Sequence, residues 1–247
     1  MSQDPAGIRS QGLFIPTNKG EAMKTDHNPY ESNLFRHWQV KTESLVKILS
    51  VKIQSADYVP RRSEPLFIKL AAELCDGDST FKRVFFLRGS TVAILVILVC
   101  EGVEYAVLVE QDHPAVGETF ASLPAGMIEG EAVHSAGLRE LEEETGVVVI
   151  QEELVDLSRL FYGGRWGGIY PSPGACDEIV HIFFCKKEVE KEMIKSINGR
   201  ITGLEEENER IVVRVVKLND LCVSTPDPKA HSAFVMYRVL KQKGIVP

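Results

Sequence analysis

Cysteine is scarce in this 247-residue chain: five residues, at positions 75, 100, 176, 185 and 222, an odd number with no C-x-x-C pair. That pattern fits neither a disulfide framework nor a structural zinc site, and it points to a reducing compartment. Long apolar runs are missing too. The longest, Val92 to Val99 (VAILVILV), is far short of the ~20 residues that a membrane-spanning helix needs, and it reads as a buried strand rich in β-branched side chains. The first thirty residues lack an apolar secretory segment. Arg9, Lys19 and Lys24 are interspersed there with Asp4, Glu21 and Asp26, acids that also count against an organelle presequence. A cytoplasmic location is therefore expected, with organelle targeting by this leader left open. A basic stripe is lacking as well: 28 Lys and Arg stand against 35 Asp and Glu, a net charge of −7. The balance argues against partners such as nucleic acid or an anionic membrane, which need clustered cations. No internal repeat is visible.

What remains is an ordinary globular composition, 44% hydrophobic and 26% charged, in a chain long enough to bury a full core. Residues 1–32 are polar and aperiodic and read as a poorly ordered leader. A helix followed by a strand is expected over 33–47, and strands near 46–54, 65–74, 80–87, 91–100 and 104–111, the last two joined by a turn at 101–103. Ala132 to Thr145 is the clearest helix, with Gly146 as its stop. Strands at 147–150, 154–161 and 178–186, a helix at 187–197 and a strand at 210–217 follow. Asp227 and Pro228 announce a last helix running to about 242. Strand runs broken by a few helices indicate an α+β, mixed α/β fold.

Glu140, Glu143 and Glu144 lie at i, i+3 and i+4 of the clearest helix, within about a third of its circumference at ~100° per residue. Like charges at this spacing repel unless a cation collects there. Carboxylate oxygens suit hard Mg²⁺ or Mn²⁺. Arg139, four residues before Glu143, is placed to hold one carboxylate; a solvated acidic helix face is the plain alternative.

The flanking residues decide between these readings. Leu123-Pro124-Ala125-Gly126 precedes the helix, and Arg139-Glu140-Leu141-Glu142-Glu143-Glu144-Thr145-Gly146-Val147 closes it. This resembles the Nudix box, G-x5-E-x7-R-E-U-x-E-E-x-G-U with U aliphatic, and the second half matches at every defined position. One departure stands out: four residues, not five, separate Gly126 from Glu131. Further passages, Phe86 to Val99 and Pro171-Ser172-Pro173-Gly174-Ala175-Cys176-Asp177-Glu178, resemble the ADP-ribose and nucleoside-diphosphate-sugar branch, most of all plant-type ADP-sugar diphosphatases.

The resemblance implies a Nudix α/β/α sandwich over 89–247, with a β-rich subdomain at 33–88 that relatives use to form a homodimer. It implies hydrolysis of a nucleoside-diphosphate sugar, ADP-ribose or ADP-glucose first, with Mg²⁺, or Mn²⁺, as cofactor. Glu140 and Glu144 would be the main metal ligands, with Glu143 and the Ala125 carbonyl beside them. Glu178 would be the base, with Glu207 and Glu209 as alternatives, and Arg139 would support the site. Substrate contacts are sought at Arg88, Gln111, His113 and Trp166. A strand-end charge, an ordinary turn histidine and a core or interface tryptophan are the competing readings at Arg88, His113 and Trp166. A catalytically weak Nudix module that binds a nucleotide and regulates a partner is the alternative function.

Overall fold

The computed structural model describes residues 28–59, 62–203 and 210–247, and the statements below concern these. Residues 1–27 of the expected leader, and the alternative bases Glu207 and Glu209, lie outside them. The leader reading ends earlier than expected. From Asn28 the chain already has caps: Asn28 accepts a hydrogen bond from the Tyr30 N–H, and the Ser32 hydroxyl accepts from the Phe35 N–H. Ser32 thereby starts α1 (Asn33–Glu43).

Three strands follow, β1 (Lys47–Asp57), β2 (Phe67–Asp76) and β3 (Ser79–Leu87), in one antiparallel sheet. Alternation in β2 places Ile68, Leu70, Ala72 and Leu74 on one face, where they bury Phe35 and Trp38 of α1. The second sheet has eight strands and begins with β4 (Ser90–Cys100), β5 (Val103–His113), β6 (Glu118–Ser122) and β7 (Ala125–Met127). Then come α2 (Val133–Thr145), β8 (Val155–Asp156), α3 (Leu157–Tyr162), β9 (Ile179–Glu188), α4 (Lys191–Ile197), β10 (Ile201–Thr202), β11 (Ile211–Lys217), α5 (Leu221–Ser224) and α6 (Pro228–Gln242).

The VAILVILV run is the middle of this sheet. β4 pairs in parallel with β9 and antiparallel with β5 and β7. Val92, Ile94, Val96 and Leu98 face the α2 side, while Ala93, Leu95, Ile97 and Val99 face α3 and α6. Both faces are covered, so β4 carries no polar alternation. The result is the expected helix–sheet–helix sandwich.

Several elements differ from expectation. Residues 147–150 join no ladder. Most of 154–161 is helical, because Asp156 caps the Arg159 N–H and Leu157 turns into the core; a short apolar run does not distinguish strand from helix. β9 extends through Glu188, so α4 begins only at Lys191. β6, β7, β10 and α5 are too short to leave a periodic signal. α6 starts as expected on Asp227 and Pro228, and Asp227 also accepts from the Leu123 N–H, which anchors the segment leading into β7.

At the opposite end of the sandwich, Glu104 accepts hydrogen bonds from Lys186 (2.9 Å), Lys241 (2.5 Å) and Tyr237 (2.8 Å), tying β5, β9 and α6 together. Burial opposes its charge, but the bonds from Lys241, Lys186 and Tyr237 outweigh that and hold the carboxyl at about 2. A depressed carboxyl stabilises the fold above its unfolded pKa, and that contribution is lost as pH falls through the folded value. Glu104→Gln is therefore expected to cost about 2 kcal/mol at neutral pH. It should also weaken the stability loss between about pH 5 and pH 2. Urea unfolding across this range checks both, and a variant with the wild-type midpoint at pH 7 would refute the assignment.

Candidate active site

β7 is three residues long, and its exposed edge builds the site. Ile94 N–H donates to Pro124 O (2.9 Å) and Ile128 N–H to Ser90 O (3.2 Å), so Ala125 and Met127 occupy the pairs that do not bond to β4. Their N–H and C=O groups consequently face away from β4. Helix α2 meets them with side chains. The Ala125 N–H donates to Glu144 (2.8 Å), and Arg139 donates to the Met127 carbonyl (3.2 Å). The Ala125 carbonyl points to the same side as its N–H, toward α2.

Arg139 is the hub. Its guanidinium reaches Glu131 (2.9 Å), Glu140 (2.9 Å) and Glu143 (3.0 Å). Burial disfavours its charge, yet the hydrogen bonds and charges of Glu131, Glu140 and Glu143 prevail and push its pKa upward. The shortened loop leaves the Glu131–Arg139 pair intact. It closes through Gly130 at φ +85°, a left-handed angle that favours glycine. Gly126 is required for a different reason. A Cβ there would lie 1.8 Å from Glu140 Oε1 and 1.9 Å from its Cδ, so the Glu140 carboxylate fills the space a side chain would take.

Hard oxygen donors fit a divalent cation such as Mg²⁺ or Mn²⁺: three carboxylates converge on one guanidinium, a fourth, Glu144, bonds to the Ala125 N–H beside them, and a backbone carbonyl is turned the same way. Among the described residues no three of these side chains are drawn together as a closed metal cage. Arg139 draws Glu131, Glu140 and Glu143 to itself, and Glu144 is turned to Ala125.

Glu178 lies immediately before β9. It accepts from the Thr91 hydroxyl (3.2 Å) and pairs with Arg88 (3.3 Å). Thr91 is flanked in the sheet by Met127 on one side and Val180 on the other. β4 therefore sets Glu178 and the Arg139 cluster at the same end of the sheet. Sequence reasoning missed the residue that anchors this loop. Asp177 Oδ1 accepts from both the Arg88 N–H (2.7 Å) and the Gly89 N–H (3.2 Å). An acid directly beside the candidate base, at the end of a Pro/Gly loop, was the available signal.

The proposed substrate contacts are more scattered. Arg88 is engaged with Glu178, although its Nε is buried with no hydrogen-bond partner among the described residues. Gln111 and His113 lie on the β5–β6 hairpin, where the His113 ring stacks on Phe120 at 4.0 Å. No hydrogen bond or ion pair joins them to α2 among the described residues. Trp166 is half-exposed, with the Arg165 guanidinium over its ring at 4.4 Å and Tyr162 edge-on at 5.3 Å. Its loop follows the outer edge of β9, where Ile169 bridges Val180 and Gly168 lies against the Val180 carbonyl.

Residues 89–239 match the model of the NUDIX domain. The chain is 33% identical over 250 residues to Nudix hydrolase 14, chloroplastic, of Arabidopsis thaliana, covering 96% of this chain and 80% of that protein. It is 29% identical over 168 residues to the ADP-ribose pyrophosphatase of Bacillus subtilis (strain 168), covering 68% and 78%. A solved structure described as an ADP compounds hydrolase shares the fold, with a TM-score of 0.52 at 19% identity over 81% of this chain and 97% of that one. The chain belongs to the Nudix family, and it is a Nudix-type hydrolase.

Proposed function

We propose that the protein hydrolyses the diphosphate bond of a nucleoside-diphosphate sugar, giving a nucleoside monophosphate and a sugar phosphate. The observation that carries this reading is the placement of two sets of acids at one end of β4: the α2 carboxylates around Arg139, and Glu178 held by Thr91 and Arg88. Relatives named for ADP-ribose and ADP compounds make ADP-ribose and ADP-glucose the first substrates to test, with UDP-glucose next.

Glu140, Glu144 and the Ala125 carbonyl would hold the divalent metal, with Glu143 in support. Bound Mg²⁺ supplies charge neutralisation on the diphosphate and a lowered pKa for the attacking water. Glu178 takes the proton as the water oxygen bonds to phosphorus and the bridging P–O bond breaks. Thr91 and Arg88 orient Glu178, and Asp177 fixes the loop that carries it. Arg139 gathers Glu131, Glu140 and Glu143 by neutralising their mutual repulsion, and its bond to the Met127 carbonyl fixes the group against β7. The three-stranded sheet would serve as the homodimer surface.

The test is incubation of the full chain with Mg²⁺ and a panel of nucleoside-diphosphate sugars, dinucleotides and nucleoside triphosphates, with products separated by anion exchange. ADP-sugars are expected to turn over at least tenfold faster than triphosphates. No turnover of any sugar diphosphate would overturn the proposal.

A further inference from the structure

A second charged site lies at the far end of the sandwich, where the β4–β5 turn, the ends of β9 and β11, and α6 enclose a cavity of about 470 Å³. Lys186, Lys217, Arg238 and Lys241 line it together with a single acid, Glu104. This concentration of cations stands out in a chain of net charge −7. The ammonium groups of Lys186 and Lys241 both bond to one oxygen of Glu104, as does the Tyr237 hydroxyl. One carboxylate oxygen thus gathers two like charges, the Tyr237 hydroxyl beside them also bonds to the Pro247 oxygen (2.9 Å), and the four cations of the lining face a single acidic side chain. Lys217 and Arg238 have no carboxylate partner among the described residues; Arg238 makes only a 3.4 Å contact to the Asn219 side chain and lies over the Phe234 ring.

Converging, incompletely balanced donors around a cavity of ligand size favour an anion. Lys186 and Lys241 are held in place by Glu104, so little side-chain freedom is lost on binding. We propose that this cavity binds a phosphate dianion, free or carried by a small sugar, at a site separate from the hydrolytic centre. Val99, at its rim, is eight residues along β4 from Thr91, a separation of roughly 26 Å at ~3.3 Å per residue. Occupation here leaves the Glu178 end of the sheet clear. The inference does not depend on which diphosphate the protein hydrolyses.

Isothermal titration with metal chelated tests it. Inorganic phosphate and glucose 1-phosphate are the two probes, and chloride at matched ionic strength is the control. Wild type and Glu178→Gln should bind one equivalent with equal Kd, and Lys217→Glu/Arg238→Glu should bind at least tenfold more weakly. Tighter binding of glucose 1-phosphate than of inorganic phosphate would assign the site to a sugar phosphate, and the reverse order to the free ion. If the charge-reversed pair melts lower than wild type, Lys217→Ala/Arg238→Ala takes its place in the comparison. Three results would overturn the proposal: no binding to wild type at 10 mM probe, retention of affinity in the cavity variant, or loss of binding in Glu178→Gln.

Discussion

Glu144→Gln is expected to lower kcat by about 10³-fold, equivalent to ~4 kcal/mol of transition-state stabilisation, while the chain stays folded. Glu144 is buried beneath β7, and one of its oxygens accepts from the Ala125 N–H. Glutamine keeps an acceptor for that bond and the same volume, but loses the charge that would hold a divalent cation. Initial rates and thermal melting separate the two contributions. A variant with unchanged melting and a rate within threefold of wild type would rule out Glu144 as a metal ligand. A large drop in melting temperature with wild-type rates per folded molecule would make its role purely structural.

Gly126→Ala is expected to reduce activity by about 10²-fold, from a residue that carries no functional group. Its backbone is not left-handed, so alanine meets no conformational penalty there. The conflict is with Glu140, whose whole carboxylate lies within 2.4 Å of the position the methyl would take. Either Glu140 swings out or β7 moves from α2, and both displace a candidate metal ligand. Steady-state kinetics at several Mg²⁺ concentrations checks this, because loss of a ligand raises the metal requirement along with lowering the rate. Wild-type kinetics at limiting Mg²⁺ would show that Glu140 can relocate without consequence.

The residues that could be read from the sequence are those whose environment is set by near neighbours. VAILVILV is buried on both faces and therefore unbroken, α2 ends at Gly146 with φ +69°, and α6 begins on Asp227. The helical spacing of Glu140, Glu143 and Glu144 likewise depends only on local geometry. What could not be read depends on partners distant in the chain. Residues 157–162 fold as helix because Asp156 caps them and the core takes Leu157. β7 is a strand only because β4 lies beside it. Asp177 gains its role from the N–H groups of Arg88 and Gly89, almost ninety residues earlier. Gln111 and His113 lie on a hairpin whose relation to α2 no local signal specifies.

The outward edge of β7 has a consequence beyond chemistry. An uncovered strand edge is a template on which another chain can add its own strand. Here Glu144 takes the Ala125 N–H and Arg139 the Met127 carbonyl, so residues proposed for hydrolysis also occupy part of the edge on which a neighbour would pair. Substituting Arg139 exposes the edge at the same moment as it disturbs the acids. Its soluble yield and state of association are therefore as informative as its rate.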